Sequence, residues 1–129
     1  MEEKIAAEVS AFVKKYEEAT NSHDFNNVRP LIAPEAVYFF SNENLFGIEA
    51  IEKAFTDTFN TILDEVYSIR DVQWLAVSET AAVCVYNFHW IGTIDGERKE
   101  GSGRGTNVLV KRDGKWLMVH EHLSKPNKE

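Results

Sequence analysis

The chain has one cysteine, Cys84, so no intramolecular disulfide exists. Positive charge is also scarce. Lys and Arg total 14 against 21 Asp and Glu, a net charge of -7. That field repels phosphate backbones and anionic membrane surfaces, and no basic stripe offsets it. Neither nucleic acid nor membrane is expected as a partner. No apolar run approaches the roughly 20 residues of a membrane span. The N-terminal stretch MEEKIAAEVS is acidic and helical in pattern, unlike a signal peptide, so a cytoplasmic location is expected. No internal repeat or low-complexity segment stands out. What is present is an ordinary globular balance over 129 residues, 43% hydrophobic and 27% charged, with aromatics at 12%. That length predicts one domain with a core of its own. Residues 1–124 are expected to form it, followed by a polar tail, 125–129.

Periodicity divides the chain in two. Ile5, Val9, Phe12, Val13 and Tyr16 recur at three- and four-residue steps, which predicts a helix from about Glu2 to Ala19. Asp24 can cap a second helix through Phe25, Val28, Leu31 and Ile32, short or distorted because Pro30 cannot donate a backbone hydrogen bond. Ala36 to Phe40 is a compact strand candidate, and Ser41 to Gly47 reads as a loop. Ile48, Ile51, Phe55, Phe59 and Ile62 mark a third amphipathic helix. From Glu65 onward the pattern is all strand: Val66 to Val77, Ala81 to Ile94, Glu97 to Arg112 and Lys115 to Ser124. Asp95-Gly96 and Asp113-Gly114 are hairpin turns. Gly101, Gly103 and Gly105 predict a bend or bulge; they lack the spacing of a phosphate loop. Helices followed by a strand meander predict an α+β fold, with helices on one face of a curved antiparallel sheet.

Strict alternation over Lys115 to Ser124 places Leu117, Val119, Glu121 and Leu123 on one face and Trp116, Met118, His120 and His122 on the other. The strand Ala81 to Ile94 is likewise apolar on both faces. A sheet covered on one side alternates apolar with polar, so the second face also needs cover. A homodimer packed through the outer sheet face is expected.

Ser22-His23-Asp24, Phe46-Gly47-Ile48-Glu49-Ala50-Ile51 and above all KRDGKWLMVHEHLS, residues 111–124, resemble the nuclear transport factor 2-like, or SnoaL-like, superfamily. This group includes ketosteroid isomerases, polyketide cyclases, scytalone dehydratase, limonene epoxide hydrolase and the association domain of a calmodulin-dependent kinase. The resemblance implies a cystatin-like, conical half-barrel of three N-terminal helices over a strongly bent sheet, with a cavity between them. Tyr16 matches the isomerase tyrosine that donates into the oxyanion hole. The isomerase base falls at Phe40, so it is missing. The second acid falls near Asn107, or at Thr106 in an ungapped alignment. The pocket positions of the last strand fall at Leu117, Val119, Glu121 and Leu123, and His120 and His122 then face outward. The steroid isomerase mechanism therefore does not transfer. The kinase module's pocket arginines have Asn107 and Leu123 in two of their places, which weakens the case for an anionic ligand.

Glu121 is the sharpest candidate. Desolvation in an apolar cavity would make it a general acid or base; pairing with Arg104 would make it structural. Tyr16 is either a ligand contact or one more residue of the helix stripe. Asn107, if buried, must be hydrogen-bonded, either to a ligand or as a strut for Glu121. Tyr38, Phe40, Phe55, Phe59, Tyr86, Phe88, Trp90 and Leu123 are the candidate lining. His120 and His122 share a strand face, yet a metal site needs a third ligand, so no metal is expected. Cys84 reads as a small buried hydrophobe. The expected protein is a pocket protein for a hydrophobic small molecule, working without a cofactor. Acid–base isomerisation, cyclisation or dehydration is one reading; a non-catalytic ligand-binding or oligomerisation module is the other.

Overall fold

The structure is a computed structural model, and it describes residues 3–126. The elements run α1 Glu3–Asn21, α2 Phe25–Val28, a 3-10 turn Arg29–Leu31, β1 Ile32–Phe40, β2 Glu43–Phe46, α3 Ile48–Thr61, β3 Val66–Val77, β4 Ala81–Ile94, β5 Glu97–Arg112 and β6 Lys115–Ser124. Glu2, and residues 127–129 of the expected tail, lie outside the described residues. The six strands form one sheet in the order β2-β1-β6-β5-β4-β3.

The sheet is mixed, which corrects the expectation of a purely antiparallel one: β1 lies parallel to β6. A parallel pair needs a long crossover, and α3 with the β3–β5 meander supplies it. The segment expected to be a loop contains β2, which pairs antiparallel with β1. Its side chains alternate poorly because it is a four-residue edge strand held by backbone bonds. Asp24 caps α2 by accepting from the Asn26 N–H at 2.9 Å, and at Pro30 the chain tightens into the 3-10 turn. Both Asp-Gly hairpins have positive φ at each turn residue, 53° and 81° at Asp95 and Gly96, 51° and 80° at Asp113 and Gly114.

The helices cover the inner face of the sheet. The α1 stripe Ile5, Val9, Phe12, Val13 and Tyr16 is buried, as are Ile51 and Phe59 of α3, against Tyr38, Leu109 and Met118 of the sheet. Polar clasps fix the angle of α1. Glu8 accepts from Lys111 Nζ at 3.0 Å and from Trp116 Nε1 at 2.9 Å. At the other end Asn21 donates to the Tyr67 carbonyl at 2.8 Å and accepts from the Tyr67 N–H at 2.7 Å. Glu17, one turn earlier, accepts from the Ile69 N–H at 2.7 Å. These two helical side chains take the place of a neighbouring strand on the open edge of β3.

Two local features depart from the sequence reading. Val108 registers with His120 and Leu109 with Met118, so Val119 is an extra residue on β6. This bulge reverses the alternation. Trp116 and Met118 are buried on the helix side, and Leu117 and Val119 are only half-buried, which corrects their expected places in the pocket. Beyond the bulge the phase is as alternation predicted it, with Glu121 inward. The glycines of β5 form no bulge, because pairing with β4 runs unbroken from Ala81–Val110 to Ile94–Glu97. They are seats for aromatic rings. A Cβ at Gly101, Gly103 or Gly105 would lie 2.5, 2.6 and 2.3 Å from the rings of Trp90, Phe88 and Tyr86 respectively.

Candidate functional site

Between α1, α3 and the inner sheet face lies a cavity of about 180 Å³. Glu121 stands at one end of it, opposite Asn107 and, one strand further, Cys84. Its side chain is 3% exposed and its Oε1 has no hydrogen-bond partner. Arg104 does not reach it. Asn87–Arg104–Ser124 is an outward-facing row, so the expected Glu121–Arg104 pairing is corrected: the cation lies on the opposite face of the sheet. No cationic side chain is among the residues that line the cavity. Burial pushes the Glu121 carboxyl up to about 8, with the nearby Tyr16 and Tyr86 hydroxyls opposing part of the rise. A carboxyl in this setting holds its proton at neutral pH and can donate it.

All four tyrosines of the chain surround this group. Burial raises each phenol well above its ordinary value, and the Glu121 charge raises it further. Three of them have hydrogen-bond partners among core groups. Tyr16 and Tyr38 share a hydrogen bond of 2.8 Å between their hydroxyls, and Tyr86 donates to Asn107 Oδ1 at 2.9 Å. The hydroxyl of Tyr67 is buried without a partner, as are Thr20 Oγ1 and Asn107 Nδ2. Asn107 is fully buried and stands behind the cavity wall, where its oxygen braces Tyr86 rather than Glu121.

Of the residues named from sequence, Tyr16, Phe40, Phe55, Phe59, Phe88, Trp90, Glu121 and Leu123 line the cavity. Tyr38 and Tyr86 are fully core, behind the lining. Thr20, Thr58, Glu65 and Tyr67 also line it and escaped the sequence reading. Thr20 had a signal, one helical turn beyond Tyr16. Tyr67 and Glu65 had none, because their inward pose depends on the Asn21 clasp and on the connection after α3. Cys84 is fully buried, and burial pushes its thiol up to about 12, which leaves it inert. His120 and His122 sit on the outer side, both edge-on to Phe39, and His120 Nδ1 donates to the Val37 carbonyl at 2.6 Å. Among the described residues, no group of three or more His, Cys, Asp or Glu is placed to hold a metal ion. No helix among them is long and apolar enough to cross a membrane.

Three helices packed over one face of a six-stranded mixed sheet, with a largely apolar cavity between them, define the nuclear transport factor 2-like class of folds. The SnoaL-like domain family matches residues 9–128, and the chain belongs to that family. Its fold is similar to a nuclear transport factor 2-like superfamily protein from Salmonella enterica serovar Typhimurium. That match has a TM-score of 0.89 and 21% identity over 97% of this chain and 93% of that one. A candidate calcium/calmodulin-dependent protein kinase II association domain from Xanthomonas campestris is 26% identical, at a TM-score of 0.83, over 95% of this chain and 88% of that one. A candidate scytalone dehydratase from Novosphingobium aromaticivorans is 18% identical, at a TM-score of 0.84, over 95% and 84%. No curated protein matches the chain.

Proposed function

We propose that this SnoaL-like protein binds a lipophilic small molecule in the α1–α3–sheet cavity and transfers a proton to it from Glu121, in a reaction of the isomerisation, cyclisation or dehydration type. One observation carries the reading: a carboxyl 3% exposed, with Oε1 unpartnered, at an apolar cavity that no cation lines. A buried carboxyl with no structural partner costs stability, and such groups cluster where a shifted pKa is used. Glu121 gives its proton to a ligand oxygen. Tyr16 and Tyr38 hold the wall beside it, and Asn107 acts as a positioning residue through Tyr86. The chemistry asks for no metal or organic cofactor. Glu121→Gln tests it: turnover of a substrate should fall about 10²- to 10⁴-fold while the ligand still binds. Retained turnover would remove Glu121 from the role.

The same reading includes a homodimer through the outer sheet face and a cytoplasmic setting. In support of the dimer, Val83, Val85, Val108, Val110 and Leu117 form an apolar, half-buried field on that face. A second reading, a non-catalytic binding or oligomerisation module, is favoured by the 26% identity to the candidate kinase association domain. The two readings part at Glu121→Gln, since a module without catalysis has no turnover to lose.

A further inference from the structure

The end of the cavity away from Asn107 gathers aromatic rings around a second carboxyl. Glu65 lines it from the connection between α3 and β3, and its Cα lies 3.2 Å from where a Cβ on Gly92 would stand. Tyr67 registers with Trp90, the next inward residue before Gly92 on β4, and its ring stacks on Phe88 at 6.1 Å between centroids. His23 Nε2 donates to the Glu65 carbonyl at 2.9 Å, and the His23 ring stacks on Phe59 at 4.9 Å. Phe59, Tyr67, Phe88 and Trp90 therefore line the cavity at the Glu65 end. The Trp90 and Phe88 rings fill the space that side chains at Gly101 and Gly103 would occupy, which is how two large rings fit there together.

The charge at this end is unbalanced. Glu65 belongs to none of the ion pairs among the described residues, and no lysine or arginine lines the cavity. Burial raises its carboxyl and the His23 imidazole beside it pulls the other way. A cation seated against it favours the ionised form. The face of an aromatic ring is negative and attracts a cation within about 6 Å of its centroid, tryptophan most strongly. The net charge of -7 draws cations rather than anions toward the opening. A primary ammonium brings three N–H donors that each need an acceptor, and this end is mostly ring carbon. A fully alkylated ammonium has no N–H to satisfy, and its alkyl groups pack against rings. The cavity of about 180 Å³ slightly exceeds the roughly 150 Å³ that accepts benzene, so a compact group of this kind fits.

We propose that the Glu65 end of the cavity is a subsite for a quaternary ammonium group, held among the rings of Trp90, Tyr67, Phe88 and Phe59 and neutralised by the Glu65 carboxylate. This rests on the reading above that a lipophilic small molecule occupies the cavity, and it adds the charge which that molecule carries. The rings take the place of water around the alkyl groups, and Glu65 supplies the counter-charge. Glu121 keeps its place beside the ligand's oxygen. The ligand is thus a compact molecule with a quaternary ammonium at one end and an oxygen at the other. Binding at this subsite makes and breaks no covalent bond.

The test measures binding of three probes by ligand-observed NMR titration. Choline carries the quaternary ammonium. 3,3-Dimethylbutan-1-ol has the same shape with carbon in place of the charged nitrogen, and ethanolamine has the charge without the methyl groups. The wild type should bind choline about tenfold or more tighter than either of the others. Glu65→Gln and, separately, Trp90→Leu should each weaken choline about tenfold while the neutral isostere stays within about threefold. Because each variant is judged by the ratio of the two probes, a general loss of folding cannot imitate the result. Glu121→Gln should leave the choline preference in place. Equal binding of choline and its isostere by the wild type overturns the cationic subsite and leaves the cavity as a ligand site. Tighter binding of ethanolamine overturns the quaternary class. A choline preference that survives in Glu65→Gln, or a loss of both probes alike there, overturns the role of Glu65. Binding of none of the three overturns the subsite and the reading of the cavity together.

Discussion

Glu121 carries a stability cost that pH should reveal. Its ordinary value is 4.5 and burial pushes it up to about 8, so between these limits the folded chain holds a proton that the unfolded chain releases. Stability therefore falls as pH rises through that window, by up to about 1.4 kcal/mol per pH unit, and levels off above it. Glu121→Gln removes this slope. Thermal unfolding at pH 5 and pH 8 should show the variant gaining on the wild type by a few kcal/mol at the higher pH; parallel behaviour of the two proteins would mean that the carboxyl is solvated after all. At the same scale, Cys84 is buried beside Asn107 and Tyr86 with its thiol pushed up to about 12. A thiol reagent should leave the native protein unlabelled and label it fully in denaturant. Labelling at the native rate of an exposed thiol would contradict its place in the core.

Among the elements, β5 is shaped by the rings of β4. A Cβ at Gly105 would meet the Tyr86 ring at 2.3 Å, so Gly105→Ala should cost about 1–3 kcal/mol by overpacking and push Tyr86 away from Asn107. Gly114 has φ +80° and open space around it, so Gly114→Ala should cost about 1 kcal/mol through backbone strain alone. Denaturant unfolding measures both losses, and probe binding separates them: only Gly105→Ala should weaken it. Equal effects on binding would argue against a wall built by the glycine seats. Helix α1 has a parallel role. Its Glu17 and Asn21 hold the edge of β3 at Ile69 and Tyr67, so the helix that supplies Tyr16 and Thr20 also positions Tyr67.

For the whole molecule the open matter is the outer sheet face. Val83, Val108 and His120 form one lateral row on it, and Ala81, Val110 and Leu117 another. Light scattering after size exclusion should give twice the 14.7 kDa chain mass at micromolar concentration. Val108→Glu should convert the dimer to monomer without disturbing the cavity, because Val108 and Glu121 project from opposite faces. A monomeric wild type would leave this field exposed and remove the dimer from the proposed function.

The helices, the capped turn before Pro30, the two Asp-Gly hairpins and the inward pose of Glu121 were all legible in the sequence. Each depends on a local period or on the backbone preference of one or two residues. The parallel seating of β1 on β6, the short edge strand β2 and the bulge at Val119 were not legible. They are settled by backbone pairing, between distant segments for β1 on β6 and between near neighbours for β2 and the bulge, which leaves no mark on side-chain alternation. The candidate site divides in the same way. The aromatic lining and Glu121 follow from alternation, whereas Glu65, Tyr67 and the removal of Arg104 to the far face follow from where α1 and the α3–β3 connection come to rest. By itself the sequence determined the element types and a carboxyl directed toward apolar surroundings, because spacing decides which face a side chain takes. Only the tertiary structure decided that this carboxyl has no cation and that a second one shares its cavity, because partners across a fold are chosen by packing.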